Sequence, residues 1–150
     1  MALVNPYLHF RGNTEEAFTF YKNVFGVEFI RLVRFKDMPA SDDYQVPDMH
    51  LDKIMYVSMP LGKSNYLMGS DAILESTERP FTMGDNFHIA ISAESKEEAD
   101  KLFNGLAPGA RIDMPMGMSP WGAYFGMLMD QYGVQWTVEF DAGGEAEANK

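Results

Sequence analysis

Residues Asn5 to Phe25 read NPYLHFRGNTEEAFTFYKNVF, and residues Asn86 to Leu106 read NFHIAISAESKEEADKLFNGL. Each is a strand-like run that leads into a helix-start signal, Asn13-x-x-Glu16 in the first and Ser95-x-x-Glu98 in the second. That is the spacing of a capping box, in which a short polar side chain accepts from the backbone N–H three residues on. Behind each box the apolar positions of an amphipathic helix coincide at an offset of 82 residues: Ala17 with Ala99, Phe20 with Leu102, Tyr21 with Phe103 and Val24 with Leu106. The match predicts two copies of one supersecondary unit.

The rest of the chain fills in that unit. In the first copy the pattern predicts a strand over Leu3 to Phe10, a helix over Thr14 to Phe25 ended by Gly26, and a β-rich run over Glu28 to Phe35. The stretch from Phe35 to Asp52 has two prolines, five aspartates and no apolar period. It reads as a long surface loop and a candidate lid, with His50 solvated within it. Strands follow over Lys53 to Met59 and Ser64 to Gly69, joined by the turn signal Pro60-Leu61-Gly62-Lys63. The second copy predicts strands over Phe87 to Ser92, Ala110 to Met114, Tyr124 to Asp130 and Val134 to Phe140, with a helix over Lys96 to Leu106 and a hairpin at Asp130-Gln131-Tyr132-Gly133. The fold class is therefore α+β, two βαβββ modules in one domain over residues 1–150. Module one covers about 1–70, a linker about 71–85 and module two about 86–141; the small, acidic segment 142–150 is a flexible tail.

Composition narrows the function classes. With 46% apolar and 13% aromatic residues, a chain of 150 can bury a sizeable core. Twelve Lys and Arg against 22 Asp and Glu give a net charge of -10, which repels phosphate backbones and anionic lipid, and no basic stripe reverses the sign locally. Neither nucleic acid nor a membrane is expected as a partner. The N-terminus lacks the succession of a signal peptide and no apolar run is long enough to span a bilayer, so the expectation is a cytoplasmic protein. The absence of cysteine excludes disulfides, thiolate metal sites and cysteine nucleophiles. No Ser-His-Asp order, phosphate loop or helical His-x-x-x-His is present.

Four stretches carry a family resemblance: PYLHFRGNTEEAFTFYKNVFG from Pro6, KIMYVSMPLGKSNYLMGSD from Lys53, FHIAIS from Phe87, and SPWGAYFGMLMDQYGVQWTVEF from Ser119. Together they resemble the vicinal oxygen chelate superfamily, the glyoxalase and bleomycin-resistance fold. More narrowly they resemble its PhnB-like branch, often labelled 3-demethylubiquinone methyltransferase-like. No glycine-rich strand-to-helix loop is present to cradle a nucleotide-like cofactor, so the resemblance is not taken to imply a methyltransferase. It implies curved sheets around a cavity, a homodimer, and, in metal-dependent members, one divalent ion held by first-strand and last-strand side chains. By that resemblance His88 stands at a first-strand ligand position, with Glu139 as the candidate second ligand because Thr137 occupies the usual carboxylate place. At the 82-residue offset the partner of His88 is Pro6, which cannot ligate. His9 pairs with Ile91 and is expected to point toward the helix layer, and the first-module counterpart of the last-strand ligand falls near Leu67 or Met68.

The candidate catalytic residues are His88, Tyr56 and Thr137. An imidazole can move a proton near neutral pH and a hydroxyl can donate to a developing oxyanion. Tyr56 stands where many PhnB-like members have a histidine. His88 and Tyr56 also have plain structural readings, as a half-buried cavity histidine and an amphipathic strand residue. The candidate substrate contacts are Trp121, Tyr124, Met68 and Ser70. Asp113 to Asp130 holds five of the 12 methionines around Trp121, Tyr124 and Phe125, a composition that suits an adaptable apolar pocket and equally a core or dimer contact. Asp71 suits a turn or a helix cap. Two functional readings follow: a small-molecule enzyme of lyase or isomerase type working by proton transfer, and a non-catalytic binding or sequestering module of the bleomycin-resistance kind. A divalent metal belongs only to a version of the first that restores the superfamily's ligand set.

Overall fold

The computed structural model describes residues 2–39, 46–73 and 80–141. The chain divides into two compact units, Met1–Thr82 and Met83–Lys150. The first contains β1 (Tyr7–Phe10), α1 (Thr14–Phe25), β2 (Arg31–Arg34), β3 (Ile54–Leu61) and β4 (Asn65–Asp71). The second contains β5 (Ile89–Ser92), α2 (Lys96–Leu106), β6 (Arg111–Met118), β7 (Tyr124–Met129) and β8 (Gln135–Phe140). Strand order is β1-β4-β3-β2 in one sheet and β5-β8-β7-β6 in the other. In each, the first strand runs parallel to the last and the other pairings are antiparallel. This is the α+β arrangement of two βαβββ units, with neither sheet closed.

Each helix lies on one face of its own sheet, and side-chain alternation along the strands follows from that. In the first unit Leu8, Phe10, Val57, Met59 and Leu67 are buried beneath Ala17, Phe18 and Tyr21 of α1. Gly69 lies so close under Phe18 that an added Cβ would stand 2.6 Å from the ring. In the second, Trp136, Val138 and Leu128 are buried beneath Ala99, Phe103 and Leu106 of α2. Because a strand alternates with period two, the intervening residues of every strand face away from the helix. These helix-free faces hold the candidate site residues.

The two helix starts differ. Ser95 caps α2 as the sequence predicts, its hydroxyl accepting from Glu98 N–H at 3.0 Å, while Glu98 reaches back to Glu94 N–H at 3.0 Å. Asn13 makes no side-chain cap. Asp71, from the end of β4, supplies it: one carboxylate oxygen accepts from Thr14 N–H at 3.0 Å and from Thr14 Oγ1 at 2.7 Å, and the other accepts from Ile54 N–H at 2.7 Å. A buried acid thus joins the start of α1 to β3 and β4, and the positive end of the helix macrodipole favours its charge.

Strand bounds shift modestly from the sequence reading. β3 runs on through Pro60 and Leu61, so the turn falls at Gly62, whose φ of +70° suits glycine. β6 is longer than predicted and carries irregularities after Ile112 and after Met114. The Phe35 to Asp52 stretch begins and ends in short 3-10 turns, Phe35–Asp37 and Asp48–His50. Its ends are held by Arg34, which donates to Glu15 of α1 and to the Asp52 carbonyl. The middle of the expected lid, residues 40–45, part of the expected linker, residues 74–79, and the tail, residues 142–150, lie outside the described residues. Among the described residues no helix is long and apolar enough to cross a membrane.

Candidate functional site

Burial corrects the repeat offset along the first strands. Leu8 and Phe10 face α1, and their counterparts toward α2 are Ile89 and Ile91, paired with Trp136 and Val138. An offset of 81 residues, from Leu8 to Ile89, maps the inward positions onto each other, although the helices themselves repeat at 82. The counterpart of His88 is therefore Tyr7 and not Pro6, and that of His9 is Ala90 and not Ile91. His9 does not point toward the helix layer; it stands on the helix-free face. On the last strands, His9 pairs with Ser70 and Ala90 with Thr137, so the counterpart of Thr137 is Ser70, not Leu67 or Met68.

In the second unit the helix-free face brings His88 and Thr137 together, Nδ1 lying 3.1 Å from Oγ1 in a hydrogen bond. The β5–β8 register, extended by one residue, sets His88 opposite Gln135, whose amide donates to the Phe87 carbonyl at 2.8 Å. Around this pair the same face presents Phe125, Met127 and Met129, directly opposite Glu139, Thr137 and Gln135. Trp121, 71% exposed in the turn before β7, tilts onto Phe125 with ring centroids 5.5 Å apart. Asp113 is the extra residue of the first β6 irregularity, a feature that re-aims a side chain. Its carboxylate is gripped by both ends of the Arg111 guanidinium at 2.7 and 3.2 Å. Hydrogen bonding to Arg111 holds the Asp113 carboxyl below the usual carboxylate range, and the charge of the guanidinium adds to that.

Tyr124 is not brought to this face. It alternates to the helix side, where its hydroxyl donates to Asp100 of α2 and Lys96 Nζ sits 4.7 Å from its ring centre. The hydrogen bond to Asp100 raises its hydroxyl pKa above the ordinary value. Glu139 does share the face of Thr137, accepting from Ser92 Oγ at 3.4 Å. It lies four residues beyond Gln135 on β8, so roughly 13 Å of strand separates it from the row of His88. His88 and Glu139 are not a ligand pair. Among the described residues no three His, Cys, Asp or Glu side chains gather to hold a metal ion. This donor set does not fit the superfamily's divalent ion.

In the first unit Tyr56, Met68 and Ser70 share the helix-free face with two residues that sequence reasoning left out, His9 and Tyr7. His9 Nδ1 is 3.1 Å from Ser70 Oγ. The Tyr7 ring lies 5.0 Å from the His9 ring and 6.3 Å, edge-on, from the Tyr56 ring. Both units therefore carry the same device, a last-strand hydroxyl hydrogen-bonded to a first-strand imidazole. The signal was present in the shared Asn5 and Asn86, which already stand 81 residues apart.

Chemically, each pair has two states. If the hydroxyl donates its hydrogen bond to Nδ1, Nε2 carries the ring proton and donates to a ligand oxygen. If Nδ1–H donates to the hydroxyl oxygen, Nε2 presents a lone pair and is a base.

The Glyoxalase/Bleomycin resistance protein/Dioxygenase superfamily matches residues 4–138. The crystal structure of protein PA1353 from Pseudomonas aeruginosa is similar with a TM-score of 0.80 and 35% identity, over 94% of this chain and 98% of that one. A second structure, described as a putative 3-demethylubiquinone-9 3-methyltransferase, PhnB protein, from Bacillus cereus, gives a TM-score of 0.72 and 25% identity over 93% and 99% of the two chains. Protein YjdN of Escherichia coli K12 is 25% identical over 154 residues, covering 90% of this chain and 92% of its own length.

Proposed function

Because the chain belongs to the Glyoxalase/Bleomycin resistance protein/Dioxygenase superfamily, we propose that it is a PhnB-like member that binds a small, partly apolar molecule on its helix-free sheet faces. The observation that carries this reading is the His88–Thr137 hydrogen bond on a face that sets Phe125, Met127 and Met129 beside it. A few fixed polar groups among apolar ones is the usual make-up of a small-molecule site. On that reading His88 and Thr137 orient a ligand oxygen, Met127, Met129 and Trp121 supply adaptable apolar contact, and Tyr56, Met68 and Ser70 do the same work on the first unit's face. A homodimer is part of the proposal, supported by the exposure of Ile112, Met114, Met118 and Trp121 along β6 and its turn. A sedimentation mass equal to the 16.9 kDa chain at all concentrations would remove it.

A second reading, lyase or isomerase chemistry, is favoured by one detail. Thr137 occupies only Nδ1, and His88 makes no other hydrogen bond among the described residues, so Nε2 is the nitrogen left to take a proton from a carbon acid. Thr137 is the candidate hydroxyl donor to the resulting oxyanion, and Tyr56 is the candidate donor on the first unit's own face. If no proton moves, the same face serves a binding or sequestering module.

The experiment is a thermal-shift screen of small oxygen-bearing compounds, followed by deuterium uptake into each hit by NMR. Compounds that raise Tm for the wild type but not for His88→Ala or Thr137→Val support the site. For a hit that depends on the site, deuterium uptake with the wild type that is lost in His88→Ala selects the enzyme, and binding by the wild type with no uptake selects the module. Hits indifferent to both substitutions defeat the assignment.

A further inference from the structure

The helix-free face of the first sheet has a composition of its own. One row across it runs Tyr7, Met68, Ser58 and Arg31, directly paired from β1 through β4 and β3 to β2. The next row, with the β3–β4 register extended by one residue, runs His9, Ser70, Tyr56 and Val33. Tyr7 and Tyr56 stand diagonally about Met68, their rings at 73° to each other. Ser58 is 5% exposed, and its hydroxyl, which makes no hydrogen bond among the described residues, meets only a trace of solvent in the floor of this face. A hydroxyl with so little access to water and no protein partner is free to donate to a ligand acceptor placed over it. Beside it Arg31 is exposed and forms no ion pair among the described residues. Neither row contains a carboxylate.

We infer that this face selects a planar aromatic carboxylate. The inference rests on the reading above, that these faces bind a small molecule, and adds its chemical class. A flat ring over Met68 meets a polarisable sulfur below and the tyrosine rings at its sides, contacts that a puckered ring of equal size makes less well. Its carboxylate then falls one strand spacing away, about 4.8 Å, where Ser58 Oγ donates to one oxygen and the Arg31 guanidinium pairs with both. The net charge of -10 opposes anions at long range. Screening confines that field to roughly 8–10 Å at physiological salt, so the uncompensated guanidinium in the row decides the sign at contact distance.

The test is calorimetric titration of the full chain with benzoate, benzamide and cyclohexanecarboxylate. Benzoate is expected to bind saturably, with the neutral amide and the non-aromatic acid each about tenfold weaker. Arg31→Gln is expected to weaken benzoate about tenfold and abolish its advantage over benzamide, and Ser58→Ala to weaken it by a similar factor. Arg31 is exposed on an edge strand, so its replacement leaves the fold intact, which the melting curve verifies. Benzoate binding that ignores Arg31→Gln, or hits of other classes with benzoate silent, overturns this inference alone. No binding by any compound in the wider screen overturns it together with the proposed function.

Discussion

Removing the Asp71 carboxylate tests how the first unit is held together. In Asp71→Ala, Thr14 N–H, Thr14 Oγ1 and Ile54 N–H lose their acceptor at once. Thr14 is 0% and Ile54 1% exposed, so water does not simply replace it. An unsatisfied buried donor costs about 1–3 kcal/mol. Counting only the two backbone donors, and allowing for some water entering the vacated space, the loss is about 3–4 kcal/mol. That is a large share of the roughly 5–15 kcal/mol that keeps a domain folded. Asp71→Asn keeps the side-chain size and one acceptor but turns an NH2 toward one of the donors, so about half that loss is expected. The assay is guanidinium denaturation followed by far-UV circular dichroism. Both tryptophans, Trp121 and Trp136, belong to the second unit, so their fluorescence alone reports the wrong half. A loss below about 1 kcal/mol in Asp71→Ala would refute the reasoning, and so would equal losses in the two variants.

Gly69→Ala is expected to destabilise by about 1–3 kcal/mol, because the new methyl would meet Phe18 at 2.6 Å and the Leu8 carbonyl at 3.1 Å; an unchanged melting temperature would show that α1 can lift off its sheet at little cost. Hydrogen bonding to Arg34 lowers the Glu15 pKa in the folded state. The resulting stabilisation is therefore present above the ordinary carboxylate range and is lost as pH falls through the folded value. Glu15→Gln should flatten the acid limb of a stability-versus-pH curve. Since Glu15 is half exposed, about 1 M salt should erase most of the difference between the two proteins. An acid limb that keeps its slope in the variant would mean that other carboxylates set it.

Much of the architecture was legible because it is written in local chemistry. Both helices begin and end where the apolar period and the Gly26 stop signal place them, and the Asp130 to Gly133 hairpin forms around the Asp130 carboxylate, which accepts from Tyr132 and Val134 N–H. The face of each strand was harder to read. A helix tolerates a one-residue error in alignment as a rotation of about 100°, whereas the same error in a strand reverses every side chain. The 82-residue match of the helices therefore misled where the strands repeat at 81, and it hid His9. Tyr124 was misassigned for a related reason. An aromatic beside Trp121 and Phe125 looks like pocket lining until alternation sends it to α2. The missing Asn13 cap was not recoverable locally, because its replacement, Asp71, comes from the far end of the unit.

The hydroxyl shared by the two units marks a fixed point around which the imidazole has moved. Ser70 is met by the histidine directly across from it, while Thr137 is met by one a rung earlier, with Tyr7 and Ala90 filling the vacated positions. One rung is about 6.6 Å, so two similar units offer the same hydroxyl–imidazole pair at two heights along a strand. That makes the fold a ruler for setting an imidazole against a fixed hydroxyl. His88→Tyr with Ala90→His would slide the ring nitrogen by one graduation while leaving Thr137 and the core beneath it in place.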